Sequence, residues 1–245
     1  MMTKEGLGMA SRMIGMRGKS GFRMMATALA AACAMAALPG NAAGPQGVTR
    51  IDTGVHRIGK AEAPLTLTEY VSYTCPHCAH FEHEAGKELI VAYAATGKAS
   101  VVVRNMVRDP ADLAAALLTN CGGDDRFIAN HGAVMGAQDE WLGRLRAATP
   151  AQRARYETGS FGSRMQALAR DAGLYDIMVR RGYEKAQLDR CLADEAKARQ
   201  LSANAASYRA QGVSGTPSFA IGDVLLAGTH DWASLKPQLD ARIDR

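Results

Sequence analysis

Residues 65–81 read LTLTEYVSYTCPHCAHF. Leu65, Leu67, Glu69 and Val71 alternate with Thr66, Thr68, Tyr70 and Ser72. Period-two alternation among β-favouring residues predicts a strand. The strand runs straight into Cys75, and Pro76 suits the first turn of a helix, where its missing N–H is not needed. That helix is expected to continue through HCAHFEHEAGKELIVAYAAT to Gly97, and the Val-rich ASVVVRNMV after it predicts a second strand. Strand, helix and strand make a βαβ unit with a parallel pair.

On the N-terminal side, residues 44–64 are Gly-rich and polar, with one short strand expected near Val55–Ile58. On the C-terminal side a long helical region follows. Asp109 caps a helix that has Pro110 at its first position, and Gly122–Gly123 ends it. Thr149–Pro150 starts another, and Gly173 and Gly182 punctuate the next two. An Ala-rich helix, DEAKARQLSANAASYRAQ, stops at Gly212. TPSFAIGD and VLLAG then predict two strands around a Gly222–Asp223 turn, and a last helix covers Asp231–Ile243. The order β-α-β, helices, β-β-α implies an α/β domain in two parts, 44–109 and 210–245, interrupted by an all-helical insertion at 110–209.

The chain has 245 residues and a net charge of +5. Lys4, Arg12, Arg17, Lys19 and Arg23 against Glu5 give residues 1–43 a charge of +4, leaving +1 for the rest. A nearly neutral body lacks the broad basic field that nucleic acid requires, so no nucleic-acid partner is expected. The basic stretch is followed by MMATALAAACAMAAL, a Pro-Gly break and the small residues Ala42 and Ala43, the layout of a cleaved signal peptide over 1–43. Its apolar run is short for a membrane span. Loss of Cys33 with that segment leaves Cys75, Cys78, Cys121 and Cys191, an even set that suits an oxidising compartment.

Cys75 and Cys78 bracket Pro76 and His77. A structural zinc site needs four ligands. No second cysteine pair is present, and His80 and His83 lie about 200° and about 140° around the helix from Cys78. Both read as solvated helix surface, and no metal is expected. A disulfide between residues three apart constrains little of the unfolded chain. A reactive pair fits better. Unpaired N–H groups and the macrodipole at a helix start favour an anion, which lowers the pKa of Cys75. His77 adds a donor or positive charge, and Cys78 lies one turn on, able to attack a mixed disulfide on Cys75. Glu69 shares a strand face with Leu65, Leu67 and Val71. A carboxylate in apolar surroundings is costly. It either exchanges protons with Cys78, with its own pKa raised by desolvation, or is a partly wet strand-end group.

With CPHC after a strand, an acid six residues upstream, and GVSGTPSF near the C-terminus, the chain resembles the DsbA-type periplasmic thiol oxidases of the thioredoxin superfamily. The resemblance implies a thioredoxin-like fold and a cis bond at Thr216–Pro217 facing the cysteines. Thr216 would then offer its backbone to an extended substrate peptide. It also implies a periplasmic dithiol oxidase acting on reduced exported proteins, reoxidised by a membrane partner, monomeric and without a cofactor. The same residues run in reverse would give a reductase or isomerase, and a soft-metal carrier is the alternative of another class. The best-known oxidases of the family carry valine where this chain has Thr216, which bears on oxidising strength. Relatives from α-proteobacteria often have a second disulfide among the helices. By that resemblance Cys121 and Cys191 are a candidate pair, the other reading being two buried free thiols.

Overall fold

The computed structural model describes residues 47–243. The segment expected to be a signal peptide, Cys33 included, lies outside them. Six strands form one sheet in the order β1-β2-β4-β3-β5-β6. β3 (Thr66–Val71) and β4 (Ser100–Asn105) pair in parallel, from Thr66 opposite Ser100 to Val71 opposite Asn105. β2 (Val55–Ile58), β5 (Ser218–Ile221) and β6 (Val224–Leu225) add antiparallel neighbours. β1 (Val48–Asp52) is a strand that the polar, glycine-rich segment did not announce. It forms a hairpin with β2 through Gly54 at φ +71°, where a side chain would also collide with Leu201.

The alternation in β3 assigns its faces correctly but understates their burial. Leu67, Glu69 and Val71 turn to one side, Thr68 and Tyr70 to the other, and all five are buried. β3 is central, with layers on both faces. On one face Phe81 meets Phe219 with ring centres 4.7 Å apart, and Trp232 of α10 (Trp232–Ile243) packs edge-on to Phe81 and Tyr93. On the other, Tyr70 packs with Met106, Ala205, Tyr208, Val213 and Ala220. The Arg104 guanidinium covers the rings of Tyr70 and Tyr208.

The first helix, α1, covers residues 76–94 but is not uniformly α-helical as the sequence suggests. It is α-helical over Pro76–Phe81 and π-helical over Glu82–Gly86 and Leu89–Ala94. In the first wide turn the Glu82 carboxylate folds over Gly86, where a Cβ would lie 2.5–2.7 Å from its atoms. Only glycine leaves room for that approach.

Eight helices separate β4 from β5: α2 (Pro110–Thr119), α3 (Phe127–Gly136), α4 (Gln138–Arg146), α5 (Pro150–Glu157), α6 (Phe161–Ala172), α7 (Leu174–Arg180), α8 (Lys185–Leu192) and α9 (Glu195–Ala210). The Asp109 side chain accepts from Asp112 N at 2.8 Å, and Thr149 forms a capping box with Gln152. Gly173, at φ +79°, turns α6 into α7. Ala114–Leu118 of α2 and Trp141 of α4 are buried at the centre of these helices. Cys121 and Cys191 are bonded, joining the turn after α2 to α8. Among the described residues no helix is long and apolar enough to cross a membrane.

The Cys121–Cys191 bond closes a 70-residue separation. In the chain-entropy account such a loop stabilises by up to about 4 kcal/mol. A C121S/C191S double variant is therefore expected to unfold at clearly lower denaturant, with a slope equal or steeper because the unbridged unfolded chain exposes more surface. Mass mapping of unreduced protein should find neither residue alkylated; alkylation of both would refute the bond.

Candidate active site

Cys75 sits at the N-cap of α1 in extended conformation (φ −95°, ψ 116°), and Pro76 occupies the first helical position. Because a proline there removes no needed donor, the free N–H groups of the first turn all lie beyond it. Both cysteines are free thiols, 3% and 0% exposed. The Cys75 thiol donates to the Thr216 carbonyl at 3.0 Å, and the Thr216–Pro217 bond is cis. Residues 141 positions apart in the chain thus meet at one sulfur. His230 Nδ1 lies 2.8 Å from Pro217 O and ties that loop to the start of α10.

The two thiols are strongly unlike. A hydrogen bond from the Cys78 thiol does most to lower the pKa of Cys75. Burial opposes it, and the Thr216 hydroxyl and the N–H groups of Cys78 and His77 add to the lowering. The result falls from an ordinary 9.0 to about 5. Thr216 Oγ1 is buried without a partner among the described residues, so it is available to a thiolate. Cys78 moves the other way, well above the ordinary thiol range, through burial, its bond to Cys75 and the nearby charges of Cys75 and Glu69. The expected contribution of His77 is thereby refined. Its backbone N–H acts on the sulfur, whereas its side chain is exposed, in a groove of about 530 Å³ shared with His80, Phe81, Thr216, Pro217 and His230.

Glu69 is 3% exposed, so the wet strand-end reading does not hold. In the sheet its neighbours on the same face are Val103 and Phe219. Oε1 has no hydrogen-bond partner among the described residues. Burial raises its pKa from 4.5 to about 7; His131 works against that rise and Glu82 with it. Glu69, Glu82 and His131 line a cavity of about 20 Å³, room for one water. His131 Nε2 lies 3.4 Å from Glu82 Oε2, and Nδ1 lies 2.9 Å from the Tyr73 hydroxyl. Burial disfavours the imidazolium, but Tyr73, Glu82 and Glu69 outweigh it and hold the His131 pKa well above its ordinary value. His56 shares the sheet row of Val103 and Glu69 and stacks on Phe127 at 3.7 Å.

Sequence reasoning missed His131, Glu82 and Tyr73. Glu82 follows Cys78 by four residues, a spacing that could have placed it one turn along the same helix side. His131 stands in the mostly apolar FIANHGAVMG, and nothing local marks it as a partner of Glu82. Around the sulfurs lie one thiol whose surroundings favour the thiolate and one whose surroundings keep it protonated, the latter feeling the charge of the buried Glu69. That arrangement can run thiol–disulfide exchange.

Residues 51–241 match the family model described as Thioredoxin. Among solved structures, a protein-disulfide isomerase from Novosphingobium aromaticivorans is 49% identical, with a TM-score of 0.74 over 78% of this chain and 98% of that one. Wolbachia pipientis alpha-DsbA1, at 21% identity, shares the fold with a TM-score of 0.58 over 77% of this chain and 90% of its own. A Rickettsia bellii protein named "Putative protein-disulfide oxidoreductase" is 28% identical over 177 residues, 71% of this chain. The chain spans 60% of that protein's length.

In reduced protein the alkylation rate of Cys75 should titrate with a midpoint near 5. Thr216→Val removes a donor to the thiolate and should raise that midpoint by about one unit. Folding lowers the pKa of Cys75, so the thiolate stabilises the reduced protein fully above the unfolded thiol's range, and this is lost as pH falls towards 5. Glu69, raised by folding, loses stability between its ordinary 4.5 and about 7 in both redox forms. The melting temperature of the reduced form should therefore gain on that of the oxidised form as pH rises from 5. A constant gap would contradict the thiolate.

Proposed function

This chain belongs to the thioredoxin family, and we propose that it is a thiol:disulfide oxidoreductase working in the oxidising direction on exported proteins. The observation that carries the reading is the split between Cys75, lowered to about 5, and Cys78, raised well above the thiol range, opposite the Thr216–Pro217 loop.

In the oxidised protein a substrate thiolate attacks Cys75 Sγ. The Cys75–Cys78 bond breaks, and its electron pair leaves on Cys78 Sγ, which takes a proton from Glu69. A second substrate thiolate then attacks the substrate sulfur of the mixed disulfide. Cys75 departs as a thiolate, held by the N–H groups of His77 and Cys78. Two electrons have moved from the substrate thiols to the Cys75–Cys78 pair. Thr216 offers its backbone to an extended peptide beside Pro217, as in strand addition. A membrane oxidant would restore the disulfide. Residues 44–109 and 210–245 carry this chemistry, with 110–209 as the helical insertion. The Cys121–Cys191 bond supports a compartment outside the cytoplasm; the periplasm is the proposed one.

Only the reduced form has a thiolate to stabilise, so a low Cys75 pKa favours reduction of the pair and makes it an oxidant. A value about two units below neutrality stabilises the reduced form by about 2.7 kcal/mol at pH 7. That is on the order of 60 mV more oxidising than an unperturbed pair. The second reading is an isomerase, favoured by the 49% identity to the Novosphingobium aromaticivorans protein.

Equilibration with glutathione should place the Cys75–Cys78 potential well above that of thioredoxin, about −270 mV. A value as low as thioredoxin's would overturn the oxidase reading. Faster reactivation of scrambled substrate than oxidation of reduced substrate would favour the isomerase. Glu69→Gln should slow the step in which Cys78 resolves a mixed disulfide by about tenfold or more while leaving the Cys75 alkylation midpoint in place. Movement of only that midpoint would reassign Glu69 to Cys75.

A further inference from the structure

Residues 72–75 join the end of β3 to the start of α1 and carry the reactive sulfur. Among the described residues outside the segment itself, every side-chain hydrogen bond they make except the one from Cys75 to Thr216 involves residues 108–138, including both side-chain bonds to their carbonyls. The Asp112 carboxylate, 1% exposed, accepts from Ser72 Oγ at 2.5 Å, from Tyr73 N at 2.8 Å and from Arg108 N at 3.0 Å. Gln138, 2% exposed and first in α4, donates Nε2 to the carbonyls of Tyr73 at 2.8 Å and Cys75 at 2.9 Å. Arg108 reaches Ser72 Oγ and Thr74 Oγ1, and Thr74 Oγ1 donates to Asp109.

We propose that Asp112 and Gln138 are positioning residues for Cys75: they set the path of residues 72–75, and through it the aim of the sulfur at the helix N–H groups and at Thr216. Asp112 holds the N–H side of Tyr73 and Gln138 its C=O side, so the peptide planes on both sides of that residue are pinned from opposite directions. The Cys75 carbonyl is pinned by the same Gln138 amide. Burial raises the Asp112 pKa to about 7, with Ser72 and the N–H groups of Tyr73 and Arg108 working against that rise, so what Asp112 supplies is position rather than charge. A reacting group must be held to within about 0.5 Å to keep its electrostatic support. The thiolate depends on the N–H groups of His77 and Cys78 and on the Cys78 thiol, all of which are oriented by the same backbone. The inserted helices therefore govern how well the sulfur ionises, without touching it.

The inference rests on the reading of Cys75 as the attacking sulfur, and one experiment separates the two. Reduced full-length chain, with the Asp112→Asn, Gln138→Leu and Ser72→Ala variants, is alkylated across pH 4–9 with iodoacetamide, and the labelled cysteine is mapped by mass spectrometry. Asparagine keeps the shape but turns a donor towards a donor at Tyr73 or Arg108. Leucine keeps most of the volume and removes the amide donor from both carbonyls, of which Cys75 O keeps the N–H groups of Cys78 and Ala79. The expected result is label on Cys75 in every case, with the midpoint raised by about half a unit to one unit in Asp112→Asn and Gln138→Leu. That is about a three- to tenfold loss of thiolate at low pH. Asp112→Glu should recover part of it. Lowered melting temperatures with unmoved midpoints would show a packing role only and overturn the proposal. Preferential low-pH label on Cys78 in the unmodified sequence would instead overturn the assignment of the attacking sulfur. Should Asp112→Asn fail to fold, Ser72→Ala, which removes one donor to the same carboxylate, and Gln138→Leu decide the question.

Discussion

The rest of the site depends on one contact: the Cys75 sulfur lies at the N-terminal N–H groups of α1 and against Thr216 of a loop from the far end of the chain. A buried thiolate is unfavourable unless donors surround it. Here the donors are the Cys78 thiol, the Thr216 hydroxyl and two backbone N–H groups. Each is fixed by a larger feature. The N–H groups follow from a helix that starts with proline. Thr216 is placed by the cis bond and by β5, which pairs with β3 on the side away from β4. The sheet brings together the two ends of the fold that flank the insertion.

A second constraint is the carboxylate at the centre of β3. Glu69 lies between Val103 and Phe219, under the helix that holds Cys78, in surroundings that oppose its ionisation. The cavity beside it brings in Glu82 and His131, so the charge of Glu69 is felt by groups from α1 and α3 as well as by Cys78. The π-helical turn at Glu82–Gly86 belongs to this arrangement, because the wide turn and the missing side chain at Gly86 let the Glu82 carboxylate fold inward towards His131. Such turns are frequent at functional sites.

Cys75, Pro76, Cys78 and Glu69 were legible because the features that single them out are local, whereas Thr216 and Pro217 were marked by the resemblance of GVSGTPSF to a family motif. A strand that alternates, a proline one residue past a cysteine, and an acid on the apolar face of the strand feeding that helix are properties of neighbours in the chain. The strand–helix–strand order and the helical stretch from Asp109 to Gly212 were legible for the same reason: caps, glycines and apolar spacing act within a turn or two. What escaped was β1, whose residues have weak strand patterning and are held by pairing with β2, and the π-helical turns, which depend on what the side chains of Glu82 and Leu89–Ala94 meet in space.

By itself, then, the sequence determined the secondary-structure order apart from β1 and the π-helical turns, and it singled out the two cysteines and the acid on the strand before them, since each follows from chemistry among residues close in the chain. Only the tertiary structure decided that both faces of β3 are covered. It alone placed His131 and Glu82 around Glu69, and it gave the segment before Cys75 to Asp112 and Gln138. Those partners are 13 to 65 residues apart or joined only through the inserted helices. Their choice depends on how helices pack on a sheet, and no spacing along the chain encodes which buried polar group will meet which.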